Sequence, residues 1–374
     1  MVDTPDMVIF WAVVMARFFV PLLIPKYPFP GVMACLVLDT IDQTIFQLTG
    51  MSFEGYQEYD KALDVYYLAI TYLSTFRNWS NFFAFKINRF LFYYRLVGVA
   101  LFELTDLGLL LLIFPNTSEY FFIFYELVSL KKNPDLLTKK KIIVTVALIW
   151  IFIKLPQEYL LHIAQFDTTD WIRADPVSSL IILSACIVVT TVVLRLILRD
   201  LPTTRSRFSF TANHVTFAFE SPQAANIRDN YSSKKFFDNF LNHELIEKIV
   251  LVSLLSIIFA NILPEVRLNN LQLTTAVSVL IIINTELSQW LARHGTHWKS
   301  TVREFIIMAI VNIDLVLLFD FLLTISGSSI NVLSAIFFVL LLTLNVTLYD
   351  RYRRVQRWRI ATKNYAGKQE EITL

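Results

Sequence analysis

The stretch LVLDTIDQTIFQ, residues 36–47, decides how this chain is read. It lies within residues 30–50, a segment apolar enough to enter a bilayer and, at about 1.5 Å of helical rise per residue, long enough to cross one. Yet it carries Asp39, Asp42, Gln43 and Gln47, and the spacing places all four on one face of a helix. A carboxylate at the centre of a membrane costs about 2.5–3.5 kcal/mol on insertion scales. Two on one helix need compensation, so the rest of the chain is read for partners.

The surroundings are consistent with a membrane. Of 374 residues 55% are hydrophobic, and the mean hydropathy is +0.55. The apolar residues come in blocks of about twenty, matching a hydrocarbon core of roughly 30 Å. A net charge of +2 gives no reason to expect a nucleic-acid partner. Cys35 and Cys186 both fall in apolar segments, without a disulfide framework or a CxxC pair. Thirty-two Phe against eight Gly counts against a transporter built from glycine-broken helices. The first apolar run, residues 7–24, follows Asp3 and Asp6 without an A-x-A cleavage site, and is expected to be a retained helix.

Candidate spans are residues 7–24, 30–50, 61–76, 90–105, 107–130, 142–162, 177–198, 249–263, 271–291, 305–325 and 330–349. The expected fold is therefore all-α, a polytopic integral membrane protein with about eleven transmembrane helices, within a range of roughly ten to twelve. The fourth and fifth spans share one apolar tract, interrupted at Glu-Leu-Thr-Asp and again at Pro-Asn-Thr-Ser, and the turn fits either break. Basic residues set the orientation. Arg351, Arg353, Arg354, Arg357 and Arg359 mark a cytoplasmic C-terminus. Counting back, the groups at 293–303, 195–207, 131–141 and 77–89 all fall on the same side, while acidic loops at 52–60 and 165–175 fall outside. The N-terminus is then outside. Trp79, Trp171, Trp290, Trp298 and Trp358 lie at or near span ends, where interfacial aromatics belong.

The chain divides on this reading into a seven-span part (1–199), a cytoplasmic polar connection (200–247), a four-span part (248–349) and a basic tail (350–374). Within the connection, residues 208–219 alternate as a short hairpin would, and 234–246 reads as a surface-lying amphipathic helix.

With orientation assigned, the intramembrane charges collect in the outer half of spans one to six. Arg17, Arg95 and Lys154 are the cations available to Asp39, Asp42, Asp64, Glu103 and Glu158, and Gln43 and Gln47 extend the polar face of span two. Asp60 begins the face that continues through Asp64, and Lys154, Glu158 and His162 form one stripe. Too few cations balance the carboxylates, which leaves some to be hydrated, protonated or bound to a cation. Pro21 and Pro156 fall in or near these spans and free backbone carbonyls there.

This pattern suits an outward-facing polar cavity that serves transport or permeation of a small solute or ion. Two other readings stand beside it. One is a membrane-embedded enzyme acting on a lipid or lipid-linked substrate, with a cation holding the head group. The other is a non-catalytic assembly or sensor component. Asp39-x-x-Asp42 lacks the DG that precedes the AR pair in CDP-alcohol phosphotransferases. Asp60-x-x-x-Asp64 lacks the asparagine-led first motif of intramembrane prenyltransferases. No P-loop, GxSxG or HExxH occurs. His294-Gly-Thr-His297 stands beside Arg293 and Lys299, which disfavour a metal, so no metal site and no particular cofactor is expected. The partners expected are the bilayer and a small solute, ion or lipid head group. In the absence of another address the chain is expected in the plasma membrane.

Overall fold

The computed structural model describes residues 4–49, 56–164, 243–262, 298–325 and 331–373, together with scattered positions between 175 and 212 and at 282–283. The protein is all-helical, with no strand among the described residues. In chain order the helices are α1 (Thr4–Phe19), α2 (Pro28–Thr49), α3 (Tyr56–Asn78), α4 (Phe82–Thr105), α5 (Leu109–Ile113) and α6 (Thr117–Ser129). They are followed by α7 (Lys139–Leu148), α8 (Leu155–His162), α9 (His243–Ile262), α10 (Trp298–Ile325) and α11 (Val332–Thr373).

Local chemistry accounts for several boundaries. Pro21 sits in the 3-10 turn Val20–Leu23 that ends α1. The Asn81 side chain caps α4 by accepting from the backbone N–H groups of Phe83 and Ala84, at 3.2 and 3.1 Å. Its amide donates to the carbonyls of Pro134 and Leu137, so one side chain ties a helix start to a later turn. At the far end of α4, Asp106 takes a left-handed conformation (φ 56°) and closes the helix with its N–H on Phe102. Thr138 caps α7. Between α7 and α8 the chain forms a π-helical turn, Ile149–Lys154, with Pro156 directly after it.

Packing groups these elements into two units that do not follow chain order. The first comprises Met1–Tyr27, Met33–Asn78 and Thr211–Leu374. In it α3 packs on α1, α9 and α11, and α11 also packs on α9 and α10. Every residue of α3 from Leu68 to Phe76 is buried, including Tyr72 and the hydroxyl side chains of Thr71, Ser74 and Thr75. Those hydroxyls donate to carbonyls three or four residues back, which satisfies them without a partner helix. Aromatic rings join the helix ends: Tyr59 packs on Phe10, Trp11, Phe337 and Phe338, and Phe76 packs on Tyr349.

Where α3 ends and α9 begins, charges take over. Lys248 donates to Asp350 at 2.8 Å, and Arg353 pairs with Glu247 at 3.1 Å and with Glu244 at 3.6 Å. Arg357 also pairs with Glu244, Tyr72 donates to Glu247, and Arg359 donates to the Arg77 carbonyl. Basic residues of α11 thus clamp the acidic first turn of α9, which also complements the helix dipole there.

The second unit comprises Pro28–Val32 and Trp79–Phe210. Here α4 packs on α5, α6 and α7, and α5 on α8. Gly98 lets α4 approach the bend after α5, since a Cβ at this position would lie 2.2 Å from the Cβ of Phe114. Trp79 stacks on Tyr125 with ring centroids 3.9 Å apart and donates its indole N–H to Glu126 at 2.7 Å. Glu126 is buried and accepts a second bond from Ser129.

One sequence expectation is corrected. Residues 107–130 do not form a single helix. The chain turns at both candidate breaks, giving the five-residue α5 and the 13-residue α6 with Phe114, Pro115 and Asn116 between them. Pro115 and the short Gly98 contact enforce the second bend, and hydropathy reports apolar character without reporting continuity.

Other helices overlap the expected segments with shifted bounds: α1 ends at Phe19, α3 starts five residues early and α11 runs on through the basic tail as one 42-residue helix. Among the described residues, two helical stretches are both long and apolar enough to cross a membrane, Lys139–Leu160 and Val332–Arg357. Most of 271–291, most of 177–198, most of the hairpin reading at 208–219, most of the helix reading at 234–246, and His294–His297 lie outside the described residues.

Candidate functional site

In the first unit, four aspartates converge on Arg17. They come as two pairs, each one helical turn apart: Asp39 and Asp42 on α2, Asp60 and Asp64 on α3. Arg17 Nη2 donates to Asp39 Oδ1 at 2.7 Å and also to Asp64, while Nη1 donates to Asp42 and Asp60. Two terminal nitrogens with two protons each serve four carboxylates, so all four terminal N–H groups of the guanidinium are engaged. The sequence supplies this geometry through helix phase. Helices α1, α2 and α3 each place their charged members of the cluster on one face, and those faces meet.

Exposure is graded across the cluster. The side chains of Arg17 and Asp42 are 6% and 2% exposed, that of Asp60 is 24%, and those of Asp39 and Asp64 are 49% and 54%. Asp42 and Arg17 therefore form the floor, and Asp39 and Asp64 the open side. Among the described residues three more carboxylates than guanidinium groups gather here, and one oxygen each from Asp39, Asp42 and Asp60 lies within 4.8 Å of the other two. A cation meeting such a trio would find hard oxygen ligands.

Two hollows adjoin the cluster. A cavity of about 20 Å³ is lined by Arg17, Asp39, Asp64, Tyr67, Cys35, Pro21, Leu38 and Leu63, room for one water or one bare ion. A wider groove of about 290 Å³ runs between α1 and α2, lined by Ile9, Ala12, Val13, Ala16, Leu38, Ile41, Asp42 and Ile45. Leu38 stands between the two, and Asp42 is the charged residue of the groove.

The second unit holds a different arrangement. Arg95 Nη1 lies 3.6 Å from Glu158 Oε1 and donates to the Phe114 carbonyl at 3.0 Å. The Lys154 ammonium, at the end of the π turn, lies 3.9 Å from Glu119 and 4.2 Å from the centroid of the Tyr120 ring. Asn116 links the two acids, its backbone N–H donating to Glu158 at 3.3 Å and its side-chain amide to Glu119 at 2.8 Å. Here two cations face two carboxylates, and Lys154, Glu119 and Glu158 are all buried. Such a set is balanced by its own members and holds α4, α6 and α8 in register.

The sequence-selected residues thus fall into two groups. Arg17, Asp39, Asp42 and Asp64 meet in one unit, and Arg95, Lys154 and Glu158 in the other. Of the three cations proposed for the aspartates, the structure pairs Arg17 with them. Glu103 is half-buried near the C-terminal end of α4, and the side chains of Gln43 and Gln47 lie outside the described residues. Asp60 is legible in sequence as the start of the Asp64 face, but it also closes the acidic stretch 52–60, so its pairing with Arg17 has no separate signal. Glu119 carried no helical signal of its own, because it follows the turn sequence Pro-Asn-Thr-Ser.

Comparison with protein-family models, curated proteins and solved structures gives no match in any of the three.

Proposed function

We propose that the chain is a polytopic protein of the plasma membrane, with about eleven transmembrane helices, an outer N-terminus and a cytoplasmic C-terminus, that passes a small solute or ion through the site around Arg17. The observation that carries this reading is the unequal cluster: four carboxylates from two helices gathered on one buried arginine, with two of them open. In the second unit the described cations and carboxylates pair two to two. Around Arg17 the surplus carboxylates can be met by protons or by a bound positive species, and the two open ones give such a species access.

Several features support the membrane topology. Helices α2, α3, α4, α9, α10 and α11 each have at least 20 residues, long enough for about 30 Å of hydrocarbon, and among the described residues Lys139–Leu160 and Val332–Arg357 are apolar enough as well. The contacts of the first unit join ends that the basic-residue rule puts on one side. The start of α3 meets the start of α11 through Tyr59 and Ser334, and the end of α3 meets the start of α9 through Tyr72 and Glu247.

The test is flux in proteoliposomes, with a pH-sensitive dye for protons and a sodium-sensitive dye for sodium. The wild-type chain conducts or exchanges one of them, and Asp42→Asn, purified as a folded protein, abolishes it. Equal flux in Asp42→Asn, or a folded wild-type protein silent to both ions and to tetramethylammonium, overturns the proposal.

A further inference from the structure

We infer that the site around Arg17 takes an amphiphilic organic cation, an ammonium group carrying an alkyl chain, which enters sideways from the bilayer. The inference rests on the proposed transport role and names its substrate class. It is carried by the groove rather than by the acids alone. A bare ion or a proton needs only the cavity of about 20 Å³; a groove of about 290 Å³ beside it, walled by aliphatic side chains, serves an apolar body. That volume lies at the lower end of small-ligand pockets, about 300–1,000 Å³.

The groove exists because α1 presents small side chains, Ala12 and Ala16, one turn apart, where α2 presents Leu38 and Ile41. Its outer lip is exposed: Ala12 is open and Ile41 is 41% exposed. The flanking residues of the same two helices, Val8, Met15 and Val37, are apolar and exposed to 69%, 42% and 54%. In the proposed membrane setting such a surface faces lipid, so the groove opens to acyl chains and not to water.

Charge complementarity then selects the head group. Asp42 lines the groove and belongs to the cluster in which carboxylates outnumber the guanidinium by three. An anionic head group brought along the groove would meet that excess and be repelled. A neutral chain would gain nothing over remaining in the bilayer, whereas an ammonium gains partners that hydrocarbon cannot provide.

The experiment uses the full chain in lipid nanodiscs with radiolabelled decyltrimethylammonium. Saturable binding is expected, displaced by unlabelled decyltrimethylammonium and not by decyl sulfate or decanol. Ala12→Phe fills the groove and Ile41→Trp narrows its exposed lip; each is expected to weaken binding at least tenfold while leaving every carboxylate in place. Displacement by decyl sulfate or decanol as effective as by the ammonium overturns the inference, and so does wild-type affinity in whichever of the two variants folds. Flux separates this from the broader reading. If proton or sodium flux depends on Asp42 while decyltrimethylammonium binding ignores the groove, only the substrate class is wrong. If Asp42→Asn changes neither flux nor binding, both fall.

Discussion

Arg17 is the residue on which the first unit turns. Removing it leaves four carboxylates facing one another, and breaking a buried ion pair from one side costs about 3–5 kcal/mol. Arg17→Ala is expected to lower the thermal midpoint of the purified protein sharply. Adding Asp42→Asn to that variant is expected to restore part of the loss, because the two residues share one bond network; additive losses in the double-mutant cycle would disprove the coupling. Trp79 gives a second, independent case. Trp79→Phe keeps most of the stacking on Tyr125 and removes the donor to Glu126, an expected cost of about 1–3 kcal/mol for an orphaned buried acceptor. Chemical-denaturant curves should show Glu126→Leu recovering part of it in the Trp79→Phe background. At this scale the sequence was informative wherever a charge interrupted an apolar run: Arg17, Asp39 and Asp42 announce themselves that way. Which cation goes to which acid was not legible, since partner choice depends on helix neighbours and not on depth.

Among the elements, the α4–α5–α6 region tests how local sterics override hydropathy. The Cβ that Gly98→Ala adds would meet the Cβ of Phe114 first, with the ring atoms next at 2.7 and 3.2 Å. Trimming the ring therefore gives little relief. Gly98→Ala is expected to destabilise by roughly 1–3 kcal/mol, the usual range for overpacking, and Phe114→Ala in the same chain is expected to leave most of that loss in place. Full recovery on Phe114→Ala would show that the backbone bend is softer than the contact implies. The same region shows why residues 107–130 read as one span. Every residue from Leu107 to Phe114 is apolar apart from Gly108, so composition reads as one continuous span, yet Leu107, Leu109 and Ile113 are exposed and Leu111 is the buried member of the stretch. Pro115 marks one break in the sequence itself, but the Gly98–Phe114 contact beside it is a long-range fact that no local window contains. The π turn before Lys154 was equally hidden. Its sequence, IWIFIK, has nothing to distinguish it from ordinary helix, and only Pro156 hinted at a departure.

For the whole molecule, the alternation of charge along the chain carries the proposed topology, and it can be checked at single residues. Leu107 and Lys140 are both exposed in the second unit, and they flank the region where the helix count is least obvious from sequence. The basic-residue rule places Leu107 outside and Lys140 inside. In cells expressing a chain with Cys35 and Cys186 replaced by alanine, Leu107→Cys is expected to react with a membrane-impermeant maleimide. Lys140→Cys is expected to react only after permeabilisation. Arg354→Cys, on the stretch of α11 beyond the apolar core, should behave like Lys140→Cys. Labelling of Lys140→Cys and Arg354→Cys from opposite sides would mean an extra or missing crossing between them, and labelling of Lys140→Cys in intact cells with Leu107→Cys protected would mean that the outer placement of the Arg17 cluster has to be abandoned. If all three agree, the open carboxylates Asp39 and Asp64 lie toward the outer half of the membrane. A positive species drawn from the outer leaflet would then reach them without crossing the hydrophobic core, which is the physical requirement that the site's position has to meet.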